Sequence, residues 1–217
     1  MKNFSKVLIA YVLIALLASC TAGGSEREDR LGEIDSLFFS GDYGRAQEQI
    51  VAFLEDYPDS SQGHLLYGWI SLETNHFDKA RMEFLKAIQL DETSDNAYVG
   101  LGVLARKEGD YARAAEYYQQ AIEIYPRNPE AYSSLLVIEI ACGRYQEALE
   151  LAQKSLDYDF TDPTLYANAS IAYHLVGEVE ERDRLYDLAV ENGYLNGSAL
   201  QEIYAGESVI PVQDCGD

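Results

Sequence analysis

Asp95 to Asn128 reads DNAYVGLGVLARKEGDYARAAEYYQQAIEIYPRN. Tyr98, Leu101, Gly102 and Ala105 fall three and four residues apart, the spacing that lines up one face of an α-helix. Gly109-Asp110 ends that helix: glycine accepts the left-handed conformation of a C-terminal cap, and aspartate caps the helix that follows. Ala114, Tyr117, Tyr118, Ala121 and Ile122 then form a second apolar stripe. Pro126 closes the stretch, because an interior proline removes a hydrogen bond and clashes with the preceding turn. The segment predicts two helices folded back on each other.

That hairpin is one of a series. Gly41, Asn75, Gly109, Gly143 and Gly177 stand 34 residues apart without a slip. Tyr43, Phe77, Tyr111 and Tyr145 keep the same interval, and so do Ala46, Ala80, Ala114 and Ala148. A fixed period without insertions means stacked copies of one supersecondary unit, here 27–60, 61–94, 95–128, 129–162 and 163–196. Such a stack builds an extended surface in place of a closed catalytic pocket. Proline placement agrees: Pro58 and Pro126 close units, Pro129 and Pro163 open them, and Pro211 lies beyond the last.

The pattern resembles the tetratricopeptide repeat (TPR) family over residues 27–196. Tyr98, Leu101, Gly102, Gly109, Tyr111, Ala114, Tyr118, Ala121 and Pro126 stand at the family's positions in the third unit. The second supplies Tyr67, Gly68, Phe77, Ala80, Phe84 and Ala87, with weaker matches in the other three. The resemblance implies an all-α fold: a right-handed superhelical α-solenoid of about five helix-turn-helix units. A short capping helix, Ser198 to Tyr204, and an extended tail would follow. Small residues such as Gly68 and Gly102 would face the alanines of the second helix and let the pair approach closely. Aromatic residues, Tyr111 among them, would fill the space between units. Ile34 and Leu136 replace the small residue of the first helix, which predicts wider pairs. Arg182 replaces an alanine of the last unit, which predicts a shifted helix or an open flank, because burying an unpaired charge is costly.

In this family the inner surface is lined by the first helix of each pair. Carried onto this chain, the resemblance gives Leu65, Trp69 and Leu72, then Val99, Val103, Arg106 and Lys107. Val137 and Ile140 follow in the fourth unit, and Ile171 and His174 in the fifth. This lining is mostly apolar with one basic spot, unlike the clamp with which some relatives grip a C-terminal carboxylate. It suits an amphipathic helix or an extended peptide of a partner, with Trp69 as the anchor. The apolar Val209 to Val212 suits the groove of its own chain or of a second copy, and the alternative reading is a self-assembling component of an envelope complex, such as a pilus or secretion machine, built through groove and tail.

The chain's start reads as an address. Lys2 and Lys6 precede an uncharged apolar run, Val7 to Leu17, too short to span a bilayer and suited to a signal peptide covering residues 1–19. Leu17-Ala18-Ser19-Cys20 resembles the lipobox of bacterial lipoproteins, which implies cleavage before Cys20 and a lipid (palmitate among its acyl chains) on its thiol. Residues 20–26 would be a flexible tether. Thr21 is not the aspartate that favours inner-membrane retention, which implies the outer membrane, facing the periplasm. TPR lipoproteins of this kind include pilotins of type IV pili and adaptors that dock peptidoglycan hydrolases.

Without residues 1–19 the chain has 14 basic side chains (16 less Lys2 and Lys6) against 37 acidic ones, a net charge of −23. That excess argues against nucleic acid and favours basic or apolar partners. No enzymatic motif stands out: there is no glycine-rich phosphate loop, no G-x-S-x-G, and His64, His76 and His174 have no ligand-spaced companions, so neither metal nor cofactor is expected. With Cys20 lipidated, Cys142 and Cys215 remain. An exported protein can join them, but only if the tail folds back over the fourth unit, and the reading favours two free thiols.

Overall fold

A computed structural model of the protein describes residues 26–158, 160–208, 210–213 and 215. The leader 1–19, Cys20, most of the tether and Val209 lie outside the described residues. Among those described are eleven helices and no strand. None of the helices is long and apolar enough to cross a membrane.

The corner of each helical pair is set by one backbone conformation. Gly41, Gly109, Gly143 and Gly177 have φ of 80, 83, 72 and 85°, and Asn75 has 59°. At the fourth corner the Gly143 N–H donates to the Ile140 carbonyl at 3.1 Å and the Arg144 N–H to the Glu139 carbonyl at 2.9 Å. The other four corners repeat this pair of bonds, ending with Glu178 donating to Tyr173. It is the Schellman termination, and it requires a residue that tolerates positive φ. Side-chain caps fix the helix starts: Ser60, Asp110, Asn128 and Asp162 accept from the backbone N–H groups of Gly63, Arg113, Ala131 and Leu165.

The chain forms two compact units, one ending at Glu83 and one beginning at Phe84. The first holds α1 (26–39), α2 (Tyr43–Asp56), α3 (Ser61–Glu73) and the opening of α4 (Phe77–Leu90). Ile34, Ala46, Ile50, Phe53, Leu66 and Ile70 make its core. Glu83 is buried there, hydrogen-bonded to His64 Nδ1 at 2.5 Å and ion-paired to Lys79 Nζ at 2.7 Å. The other ring nitrogen of His64 lies 2.9 Å from the Pro58 carbonyl.

The second unit contains the rest of α4 and α5 (Asp95–Lys107), α6 (Tyr111–Ile124), α7 (Pro129–Ala141) and α8 (Tyr145–Leu156). It continues with α9 (Pro163–Leu175), α10 (Val179–Glu191) and the short α11 (Gly197–Tyr204). Helix α7 packs on α5, α6, α8 and α9, so the first helices of successive pairs run beside one another. Small residues make room for rings. A Cβ on Gly100 would lie 2.5 Å from the Phe84 ring, and one on Gly102 would lie 2.5 Å from that of Tyr118. The closest neighbour of Gly102 is thus an aromatic ring of the second helix, where alanines were expected. At the corresponding places of the fourth pair the sizes are exchanged, Leu136 with Ala152, and both are fully buried. Tyr118 and Tyr132 are fully buried, whereas Tyr111 is only half-buried. Burial pushes the Tyr132 hydroxyl up to about 12.

Two expectations need correction. Arg182 neither shifts its helix nor leaves an open flank. Its guanidinium stacks over Tyr204 of α11, 5.0 Å from the ring centroid, and pairs with Asp183 at 2.6 Å. The capping helix supplies the partner that the repeat lacks, and it covers the end of the stack with Leu200. Nor are the cysteines free: Cys142 and Cys215 are joined, their Cα atoms 5.6 Å apart. The tail does fold back, because it finds a hydrogen-bond acceptor and an apolar recess beside α7.

Candidate interaction groove

Three first helices, α5, α7 and α9, border a recess of about 310 Å³ in the second unit. Arg106 comes from the last turn of α5, Val137 and Ile140 from the outward side of α7, and Asn168 and Ile171 from α9. Tyr111 closes one side. The stripe is apolar because α7, PEAYSSLLVIEIA, carries aliphatic residues around its whole circumference. A helix of that kind needs cover on every side. Its neighbours bury Leu136 and Ile138 completely, while Val137 keeps 37% of its surface exposed. Register between α7 and α9 is pinned by the Asn168 amide, which donates to the Ser133 carbonyl at 3.2 Å and to its hydroxyl at 2.8 Å.

The tail supplies the remaining wall. Ile210, Pro211 and Gln213 line the recess, and the Gln213 N–H donates to the Ala141 carbonyl at 2.7 Å. Helix ends leave their last carbonyls without intrahelical partners, and this bond satisfies one that the Schellman corner leaves over.

Four of the residues expected to line a groove therefore meet at one place: Arg106, Val137, Ile140 and Ile171. Val103 is half-buried and Lys107 exposed on the same helix as Arg106. Leu65 and Trp69 are half-buried on α3 of the first unit. Leu72 and Val99 are not lining residues, since neither has any accessible surface. The first helices are covered on both flanks by their neighbours, so part of each expected stripe faces inward. His174 is also withdrawn, its ring 5.0 Å from that of Tyr204. Burial and the positive charge of Arg182 lower its pKa. The reading from sequence missed Tyr111, assigned to packing, as well as Asn168 and Gln213. The apolar Val209 to Val212 and the leftover cysteine pair were the signals that the tail belonged here, and Ile210 and Pro211 do lie at the recess of their own chain.

Among the described residues no group of three His, Cys, Asp or Glu side chains could hold a metal ion. What the recess offers is apolar surface, one guanidinium and the side chains of Tyr111, Asn168 and Gln213, which suit the capture of a peptide.

Two profiles of the tetratricopeptide repeat match the chain, over residues 31–97 and 105–170. No curated protein matches it by sequence. Among solved structures, PilF of Pseudomonas aeruginosa is similar with a TM-score of 0.72 at 18% identity, over 83% of each chain. MamA is similar with a TM-score of 0.59 at 23% identity, covering 73% of this chain and 93% of that one. YrrB, described as a TPR protein with an unusual peptide-binding site, gives 0.57 at 18% identity, over 82% of this chain and 91% of its own. At these identities the likeness is one of fold.

Proposed function

Because the chain belongs to the tetratricopeptide repeat family, whose members are generally non-enzymatic scaffolds that bind peptides or other proteins, we propose that it is a lipid-anchored adaptor of the bacterial cell envelope. Its partner is an envelope protein held as an extended peptide or helix on the face of the first helices. The observation that carries this reading is the convergence of Val137, Ile140 and Ile171 on one recess beside Arg106. The peptide-binding site described for YrrB supports it by analogy of fold. The strong acidic excess suits a partner whose contacting segment is apolar or basic. Lipid on Cys20 would tether the protein, through two or more acyl chains, to the outer membrane facing the periplasm.

A photo-crosslinking residue at position 137, and another at 69, tests the reading in living cells. We expect one envelope protein in covalent adduct from position 137, lost when Ile171 is changed to Asp. Adducts only with further copies of the chain would favour self-assembly, and no adduct at either position would overturn the adaptor reading. Labelling with radioactive palmitate tests the anchor: label lost in Cys20→Ser, with release into the soluble fraction, is the expected result. Undiminished label in that variant would overturn it.

A further inference from the structure

The tail forms one wall of the recess and lies along the apolar stripe on which an extended ligand would dock. Ile210 and Pro211 stand against the lining of Val137, Ile140 and Ile171. Val212 comes 3.5 Å from the place a Cβ on Gly143 would take, and the Gln213 N–H donates to Ala141. Apolar side chains in a recess plus a main-chain bond are the means by which extended peptides are bound. Yet the segment is not core: Pro211 and Gln213 are exposed, and Val212 keeps 59% of its surface. Segments with so little burial have low local stability. Its firm hold is covalent, through Cys215 to Cys142, the residue that follows α7.

We infer that the recess is a binding site for an extended apolar segment of a partner, a proline flanked by β-branched residues. The chain's own Ile210–Gln213 covers part of that stripe and narrows the site, latched by the Cys142–Cys215 disulfide. The inference rests on the adaptor reading for the existence of the partner and adds its chemistry and its control. Held only through the chain from α11, the tail acts at an effective concentration of about millimolar; the disulfide adds a second tether and raises it further, so a latched tail excludes a free peptide more strongly than a reduced one does. A dithiol reductant opens the latch: one thiolate attacks a sulfur of the pair, the second resolves the mixed disulfide, and the reductant leaves oxidised. Cys142 and Cys215 each end as a thiol, having together gained two electrons and two protons. Both are only partly buried, so such a reductant can reach them.

The test uses a fluorescent peptide of sequence SVIPVQ, that of residues 208–213, and the mature chain followed by anisotropy. We expect binding to the oxidised protein to be at least about tenfold weaker than to the reduced protein. The Cys142→Ser, Cys215→Ser chain should match the reduced protein whether or not reductant is present. Adding Val137→Asp to that chain should abolish binding with helical circular dichroism unchanged, since Val137 is exposed; if helicity falls, Arg106→Glu serves in its place. Equal binding in both redox states, or none by the serine variant, or binding indifferent to the substitutions in the recess, would overturn the inference. If the peptide fails while crosslinking from position 137 still captures an envelope protein, only this inference falls. If both fail, the adaptor reading falls with it.

Discussion

Gly102 has no side chain because the ring of Tyr118 occupies the space: a Cβ there would lie 2.5 Å from the ring's Cε1 atom and 2.8 Å from two more of its carbons. Tyr118 is itself fully buried, so the ring cannot swing outward. Gly102→Ala should therefore destabilise the second unit by roughly 1–3 kcal/mol, the usual cost of overpacking. Denaturant unfolding followed by circular dichroism measures it; an unchanged midpoint would show that the contact is not a constraint.

Gly109 is a glycine for a different reason. Nothing lies within 4 Å of where its Cβ would be, but its φ is 83°. Gly109→Ala should cost about 1–2 kcal/mol from backbone conformation alone. Gly109→Asn should cost less, because Asn75 holds φ of 59° at the equivalent corner. Equal losses from both would point to some other role for the glycine.

Glu83 holds two partners within the first unit, the His64 ring and the Lys79 ammonium, while almost wholly buried, at 5% relative exposure. Removing the carboxylate leaves the mostly buried His64 ring without that hydrogen bond, so Glu83→Ala should destabilise by about 1–3 kcal/mol. Glu83→Ala combined with His64→Ala should be less than additive, because the two side chains share one contact. A double-mutant cycle on thermal unfolding decides between coupling and its absence.

His174 contributes a pH dependence of known sign. Burial, and then Arg182, hold its folded pKa below the ordinary value. Between that lowered value and about pH 6.5 the unfolded chain takes up a proton that the folded one refuses. This stabilising contribution is whole above about pH 6.5 and is lost as the pH falls below it. Glu181, held low mainly by its hydrogen bond with Arg184, loses its contribution only further down, below about pH 4.5. His174→Gln should flatten the fall in stability just below about pH 6.5 and leave the part below about pH 4.5 unaltered. Urea titrations at several pH values measure this, and an unchanged slope in the variant would rule out His174 as its source.

The helical hairpins were legible before any coordinates, because their cause is local. Glycine or asparagine at each corner, an acid or hydroxyl at many helix starts, and apolar residues at helical spacing act within a few residues of themselves. The 34-residue interval then copies that local solution along the chain. A general location for the groove also followed, since it needs only the knowledge that first helices share a face. What sequence could not separate was lining from core within those helices. Val99 and Val137 look alike as letters, yet one is fully buried and the other 37% exposed.

The sequence by itself thus determined the kind of unit, its number and its corners, each written into contacts of short sequence separation. Only the tertiary structure decided that Arg182 is covered by Tyr204 and that Ile210 and Pro211 close the recess beside Val137. It alone joined Cys142 to Cys215, 73 residues away. These pairings depend on where α11 and the tail come to rest. No local propensity encodes that position; it is set by which distant surface leaves an unsatisfied carbonyl, an open ring face and an apolar recess within reach.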